Sequence, residues 1–316
     1  MTSQPQTWGL AATVRAPAED ILRFVAYHLE AGALRIYIYL DDENPAAFDA
    51  LKAHPKVRVT TCDTAWWRKQ RNGKPVKHQV RQTLNATEAY QRKAEVDWLI
   101  HMDVDEFLVS GQPVAGILST LPADTRCARV RPMESLAGDV TAFKGFISAG
   151  PERDKIVADI YPTYGHLIKG GFLSHLAGKV FVRTGHPDLT VKIHNAFQNG
   201  IEIKGADLDQ DILALAHCHA RTWEDWLTAY RYRLAKGSYR AELAPNRPRI
   251  KGGMSLHELF ERIEERDGEP GLRAFFDEVC ADTPDLRARL DRHGLLRKTN
   301  LRLNAALSTH FPCVTP

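Results

Sequence analysis

The chain has 316 residues and carries 42 lysine and arginine against 39 aspartate and glutamate side chains, a formal net charge of +3. Hydrophobic residues make up 44% and charged residues 26% of it, which is typical of a globular protein and excludes disordered and fibrous classes. So small a net charge also argues against the basic surface of a dedicated nucleic-acid binder, so no nucleic-acid partner is expected.

The five cysteines are scattered along the chain without a CxxC pair, a spacing typical of neither a disulfide framework nor a zinc cluster. This usage indicates a reducing compartment. No apolar run approaches the ~18 residues of a membrane span, and the N-terminus lacks the features of a signal peptide. We therefore expect a soluble cytoplasmic protein that is at most peripheral to the inner membrane.

In the first hundred residues, strand-like and helical patterns alternate. Apolar, β-branched and aromatic runs predict strands over residues 8–14, 34–40, 57–61 and 98–102. Apolar residues at helical spacing predict helices over residues 17–32, 46–53 and 77–92. This alternation is typical of βαβ units, so we expect an α/β fold with a mostly parallel central sheet flanked by helices.

Polar side chains follow three of these strands at the point where each strand ends. Arg15 comes after the first strand, Asp41 and Asp42 after the second, and Asp103 after the fourth. Ligands of parallel sheets collect beyond the carboxyl ends of the strands, so we expect a binding site at this edge.

The rest of the chain is less regular. Short strands are predicted over residues 127–130, 179–183 and 189–193, and a helix over residues 222–234. A linker rich in Pro, Gly and Arg follows over residues 245–253, and two amphipathic helices over residues 255–266 and 272–280. These last helices predict a C-terminal helical appendage.

The most informative passage is DWLIHMDVDEFL, residues 97–108, in which a buried strand leads to Asp103 and Asp105. In extended backbone, residues at this spacing project to the same side. Two like charges so close repel unless a cation lies beside them, and Mg²⁺ or Mn²⁺ binds carboxylates while leaving positions for phosphate. The pattern therefore predicts a metal–diphosphate site, against the alternative of a solvated acidic turn.

The same passage resembles the DxD segment of bacterial glycosyltransferase family 2 and family 92-like proteins. Three further passages are similar to that family in order and spacing: YHLEAGA at residues 27–33 with the aspartates at 41 and 42, QVRQTLN at 79–85, and LAHCHARTWEDW at 215–226. The resemblance implies a GT-A fold over residues 1–240, with a nucleotide-binding half (1–110) and an acceptor half (111–240). Residues 241–316 form a helical extension outside it.

The resemblance also implies roles by position. Asp103 would contact the donor ribose or the metal, Asp105 would ligate Mn²⁺ or Mg²⁺, and His217 would complete the metal shell. The nucleotide side would be formed by Arg15, Asp41, Asp42, Gln79, Gln82 and Asn85.

Around the imidazole the chain departs from the family pattern, because Ala216 and Cys218 stand where the family has Asn and Tyr. The extra His219 is an alternative metal ligand, and we favour His217.

The activity that the resemblance implies is a metal-dependent, inverting transfer of a sugar from a nucleotide-diphosphate donor, first of all a UDP-sugar, to a glycan or lipid-linked acceptor. The cation would neutralise the departing diphosphate, and a base would take the proton of the acceptor hydroxyl. The candidate bases are Glu134 and His194, followed by Asp139, His175 and the acidic run 207–211. Lys179 and Arg183 would face the diphosphate, the alternative being a solvated strand edge.

Two other interpretations stay open. Phosphatases of the haloacid-dehalogenase type also carry a DxD after a buried strand, but they continue with Thr or Val where this chain has Glu106. A GT-A-like scaffold that binds a nucleotide or glycan without turnover is the non-enzymatic alternative. Trp66 and Trp67, with the basic residues after them, either pack on the core or contact a sugar or anionic lipid headgroups.

Overall fold

The computed structural model describes residues 6–92, 95–138, 141–237, 239–241, 245, 249–251 and 253–314. Within them the strands are β1 (Trp8–Val14), β2 (Arg35–Leu40), β3 (Val57–Thr61), β4 (Trp98–His101), β5 (Glu106–Ser110), β6 (Cys127–Ser135), β7 (Ala142–Lys144), β8 (Lys179–Arg183), β9 (Leu189–Val191), β10 (Ala196–Gln198), β11 (Ile201–Glu202), β12 (Ala206–Asp207), β13 (Leu213–His217) and β14 (Leu296–Lys298). The helices are α1 (Ala18–Glu30), α2 (Pro45–Ala53), α3 (Thr64–Arg71), α4 (His78–Gln91), α5 (Val114–Ser119), α6 (Arg153–Ile160), α7 (Trp223–Lys236), α8 (Leu256–Val279), α9 (Pro284–Arg292) and α10 (Leu303–His310).

The chain divides into two compact units. Unit 1 comprises Met1–Arg131, Ala177–Leu215 and Leu301–Pro316, and unit 2 comprises Pro132–Leu176 and Ala216–Asn300. The units interleave along the sequence, so the expected boundary at residue 240 falls inside unit 2, and α10 belongs to unit 1. Within the expected linker, residues 246–248 and 252 lie outside the described residues.

Unit 1 is an α/β fold whose central sheet is largely parallel. β3, β2, β1 and β4 lie side by side in this order and run parallel. β8 continues the sheet antiparallel to β4, and the first residues of β6 pair antiparallel with β8. Helix α4 packs against β1, and α1 packs against α10. The predicted α/β class, with a mostly parallel sheet flanked by helices, is confirmed.

From β1, the chain adds β2 and β3 on one side of the sheet and then β4 on the other side. Sheets with such a reversal bind ligands in the crevice beyond the carboxyl ends of their strands.

Local capping places α3 at the carboxyl edge of this sheet. The side chain of Asp63, two residues after β3 ends, accepts the backbone N–H of Trp66 at 2.7 Å and so starts α3. Asn72 ends the helix in the left-handed conformation at φ 58°.

Unit 2 combines a small antiparallel sheet with helices around an aromatic core. The end of β6 pairs with β7, and β7 pairs with β14. The core contains Trp226, Tyr230, Phe260, Phe275 and Phe276. The two helices predicted over residues 255–266 and 272–280 are the halves of α8, which is interrupted at Gly268 by a positive φ of 61°.

Among the described residues, no helix combines the length and the apolar character that crossing a bilayer requires. All five cysteines are free thiols; Cys62, Cys127, Cys218 and Cys280 are buried, and Cys313 is exposed. Burial raises the pKa of the Cys62 and Cys280 thiols to about 12, and that of Cys127 to about 11.

Gly178, just before β8, cannot be replaced without strain. Its φ is +67°, and an added Cβ would lie 2.0 Å from the carbonyl oxygen of Val130. We expect Gly178→Ala to destabilise the protein by about 3 kcal/mol or more and to lower Tm by roughly 5 °C or more in thermal unfolding.

Gly116→Ala is the matched control for this substitution, because Gly116 lies inside α5 with open space around its Cα. We expect that variant to keep or gain up to about 1 kcal/mol of stability. Equal Tm values for the two variants would contradict the close approach at Gly178.

Candidate functional site

Arg15 and Asp42 lie at the carboxyl ends of neighbouring parallel strands and meet there. β1 ends at Val14 and β2 at Leu40, and the Nε of Arg15 lies 3.4 Å from the Oδ2 of Asp42. Their side chains are 75% and 41% exposed. A pair this exposed contributes little to stability, and both groups are accessible to a ligand.

Asp41, one residue earlier, is buried and engaged by several donors. Arg81 donates to its Oδ2 from Nε at 2.9 Å and from a second guanidinium nitrogen at 2.7 Å, and the Nζ of Lys74 lies 3.1 Å from its Oδ1. Burial raises the pKa of this carboxyl, but the hydrogen bonds from His78, Arg81 and Lys74 outweigh burial and bring the pKa of Asp41 to about 2. Asp41 is therefore a fixed carboxylate that positions Arg81 and Lys74, two residues that sequence reasoning missed.

A cavity of about 510 Å³ opens beyond the carboxyl ends of β2 and β3. It is lined by residues 41–43, 61–64, 67, 68 and 72–74. Its volume lies in the range of small-molecule sites. The exposed carboxylates Asp42 and Glu43 can accept hydrogen bonds, and Arg68 and Lys74 supply positive charge. The lining therefore suits a polar ligand with hydrogen-bond donors and negative charge.

Lys179 on β8 is fully buried and paired with two carboxylates of unit 1. Its Nζ lies 2.6 Å from the Oδ2 of Asp103 and 3.3 Å from the Oε2 of Glu106. The side-chain amide of Gln82 donates to the Oδ1 of Asp103. Burial lowers the pKa of Lys179, but Asp103 and Glu106 outweigh burial and raise that pKa above its ordinary value. The structure thus brings together three of the predicted residues, Gln82, Asp103 and Lys179, and adds Glu106.

The DxD segment is a turn between β4 and β5. The backbone N–H of Glu106 donates to the carbonyl of Asp103 at 3.1 Å, and the Oε2 of Glu106 accepts the backbone N–H of Asp103 at 2.8 Å. Asp105 lies in this turn and is half-buried. The expectation of extended backbone over residues 103–105 is therefore wrong, because this reciprocal pair of hydrogen bonds closes a turn.

Asn85 and Gln79, both expected on the nucleotide side, lie in different environments. Asn85 is fully buried, accepts from the Nε1 of Trp66 at 3.1 Å and donates to the Oγ1 of Thr13 at 3.0 Å. It therefore links α3, α4 and β1. Gln79 is exposed in the first turn of α4.

His194 is held in one orientation by the chain just before β8. Its Nδ1 lies 2.9 Å from the carbonyl oxygen of Gly178. Because a carbonyl only accepts, Nδ1 carries a proton, and in the neutral form of the ring the lone pair lies on Nε2. This tautomer accepts a proton at Nε2.

In unit 2, Glu134 is buried in an ion pair. The Nζ of Lys144 lies 2.5 Å from its Oε1, and the backbone N–H groups of Leu173 and Ser174 donate to its carboxylate at 3.2 and 2.7 Å. Burial raises the pKa of Glu134, but Lys144 outweighs burial and holds that pKa well below its usual range. A carboxylate stabilised in this way is a weak proton acceptor, which does not favour Glu134 as a base. Asp139, another predicted base, lies outside the described residues.

His217 is buried at the end of β13 beside two other imidazoles of unit 2. Its ring centroid lies 5.2 Å from that of His175 and 5.3 Å from that of His219, and one ring nitrogen of His175 lies within 4.8 Å of one of His217. The Nε2 of His219 accepts from Arg233 at 3.0 Å and lies 3.2 Å from the hydroxyl of Tyr239. Because a guanidinium only donates, this contact occupies the Nε2 lone pair of His219 and favours His217 as the metal ligand.

No family model and no curated protein matches the chain. Among solved structures, it is similar to HddC from Yersinia pseudotuberculosis at 10% identity and a TM-score of 0.31, over 72% of this chain and 99% of that one. A mycobacterial protein matches at 10% identity and a TM-score of 0.30, over 56% of this chain and 53% of the mycobacterial chain. The 4-diphosphocytidyl-2C-methyl-D-erythritol synthase from Anaerococcus prevotii DSM 20548 matches at 8% identity and a TM-score of 0.26. That match covers 41% of this chain and 57% of the other. The chain thus spans about half the length of the last two proteins, and we draw no functional conclusion from similarity this distant.

The buried carboxylate of Asp41 should make stability depend on acid. Its pKa of about 2 lies below the ~3.9 of an unfolded chain, so its contribution is present above about pH 4 and is lost as the pH falls towards 2. We expect Asp41→Asn to cost about 2 kcal/mol at pH 7, with the difference from the unmodified protein shrinking between pH 5 and pH 2 in urea unfolding.

Asp49→Asn, at an exposed position of α2, is the control and should track the unmodified protein at every pH. A constant difference between the Asp41 variant and the unmodified protein down to pH 2 would show that the carboxylate charge is not what stabilises this region.

Proposed function

We propose that the chain is a glycosyltransferase of the GT-A type that transfers a sugar from a nucleotide-diphosphate donor to a hydroxyl of a glycan or lipid-linked acceptor. The cavity beyond β2 and β3 is the observation that carries the proposal. It lies at the carboxyl edge of the parallel strands, beyond β2 and β3 and not at the β1–β4 reversal itself, and its volume is in the range of small-molecule sites.

Donor recognition falls to the lining carboxylates that are open to a ligand. Asp41 already holds Arg81 and Lys74, and Asp63 accepts the N–H that starts α3. Asp42, by contrast, is 41% exposed, and its one ion pair with another described residue is the 3.4 Å contact with Arg15. We therefore assign to Asp42 the hydrogen bonds to ribose hydroxyls or a base N–H, and to the nearby Arg68 a contact with phosphate.

Cleavage of a glycosyl–phosphate bond leaves negative charge on the diphosphate, which a bound divalent cation would neutralise. In unit 2, His175 and His217 offer two imidazole nitrogens within 4.8 Å of each other, which makes them candidate ligands of one ion. Imidazole ligands favour Mn²⁺ over Mg²⁺. In unit 1, the family resemblance implies Asp105 as a carboxylate ligand.

The base that this reaction needs is better matched by His194 than by Glu134. With Nδ1 bonded to the carbonyl of Gly178, the neutral tautomer of His194 is the one that takes up a proton at Nε2, whereas Glu134 is committed to Lys144. In the proposed step the acceptor oxygen bonds to the anomeric carbon, the carbon–phosphate oxygen bond breaks, and the hydroxyl proton passes to the base. A nucleotide-sugar donor implies a reaction in the cytoplasm, and a lipid-linked acceptor would bring the enzyme to a membrane surface.

Nucleotide binding tests the cavity directly. We expect UDP, GDP or dTDP, titrated calorimetrically with Mn²⁺, to bind in a one-to-one complex, and Asp42→Asn to weaken that binding about tenfold through the loss of a charge-assisted hydrogen bond. Asp49→Asn again serves as the control, since it removes an exposed carboxylate outside the cavity lining. Failure of all three nucleotides to bind would overturn the proposal, and equal affinities of the two variants would remove Asp42 from the site.

Metal binding tests the histidines. We expect His175→Ala and His217→Ala each to weaken Mn²⁺ binding, followed by electron paramagnetic resonance, on the order of tenfold or more. His166→Ala, an exposed imidazole of unit 2, should leave the affinity unchanged. Unaltered Mn²⁺ affinity in His217→Ala would show that this residue does not bind the metal.

A further inference from the structure

Asp103 already has a cation beside it. Lys179 is 0% exposed, and its ammonium lies 2.6 Å from the Oδ2 of Asp103. The same ammonium lies 3.3 Å from the Oε2 of Glu106, whose side chain is also fully buried. Two carboxylates and one ammonium sum to a charge of −1. The lysine therefore relieves most of the repulsion between the carboxylates of Asp103 and Glu106, which a metal ion would otherwise relieve.

The other oxygen of Asp103 is engaged as well. The side-chain amide of Gln82, itself buried, donates to Oδ1. Both carboxylate oxygens thus accept hydrogen bonds from donors fixed on α4 and β8. A carboxylate oxygen has two acceptor sites, so these hydrogen bonds do not by themselves exclude a further hydrogen bond. A divalent ion, however, would stand beside a buried positive charge that repels it. The residues present do not fit Asp103 as a metal ligand.

We propose that Lys179 is a built-in counterion that takes the place of a metal at Asp103, so that the metal is held by other residues and Asp103 meets the donor as a hydrogen-bond acceptor. This inference deepens the proposed function and rests on it only for the identity of the donor. Lys179 is here a positioning residue, because it acts through the carboxylate of Asp103 and has no exposed surface. The consequence is a protein with one carboxylate fewer for the metal, and therefore with weaker metal binding than a pair of unpaired aspartates would give.

Two substitutions test the inference with Mn²⁺ alone, titrated into the full-length protein and followed by electron paramagnetic resonance. Asp103→Asn should change the Mn²⁺ affinity by less than twofold, whereas Asp105→Asn should lower it at least tenfold. Lys179→Met, which keeps the length of the side chain and removes its charge, should raise the Mn²⁺ affinity at least tenfold, because Asp103 and Glu106 then attract a cation from solution. Lys179→Arg keeps the charge and should bind Mn²⁺ as the unmodified protein does.

Lys144→Met is the matched control, since Lys144 is an equally buried lysine paired with a glutamate in unit 2. It should not gain Mn²⁺ affinity. A tenfold loss in Asp103→Asn would overturn the inference, and so would an unchanged affinity in a folded Lys179→Met. If circular dichroism shows that Lys179→Met does not fold, the Asp103→Asn result decides alone. Absence of Mn²⁺-dependent donor hydrolysis in the unmodified protein, with the affinities as expected, would overturn the proposed glycosyltransferase and leave the role of Lys179 standing.

Discussion

An ammonium without access to water is stable only beside carboxylates, and in unit 1 this requirement joins β8 to the turn after β4. Lys179 comes from the strand, and Asp103 and Glu106 come from the turn. Removing one partner of such a buried pair typically costs 3–5 kcal/mol, because the other charge is left uncompensated. The ion pairs therefore tie this turn to β8.

Four other charged residues described above fall into two groups according to their burial. Asp41 and Glu134 are buried, and each is held by a cation from its own unit, Arg81 in one case and Lys144 in the other. Arg15 and Asp42 form only a long, exposed pair. Of these residues, Asp41 and Asp42 line the cavity of unit 1, where Asp41 is held by Arg81 and Lys74 and Asp42 is exposed.

Much of unit 1 is predictable from the sequence, because its strands are short apolar runs closed by polar residues, and local pattern is sufficient to find them. The partner of Asp103 is not predictable in this way, since Lys179 lies 76 residues further along the chain and only the strand order brings it close. Glu106 could have been found, because a carboxylate three residues after an aspartate is placed to accept its backbone N–H. The division into units is hidden from local pattern, since each unit is assembled from separate stretches of chain.

The five thiols differ in their accessibility to solvent. Four of the five are enclosed, and three of these keep their protons far into alkaline solution. Electrophiles react with accessible thiolates, so a maleimide dye offered at neutral pH will couple at Cys313 ahead of the others. A spectroscopic reporter can thus be attached near the end of the unmodified sequence, without engineering away a single cysteine.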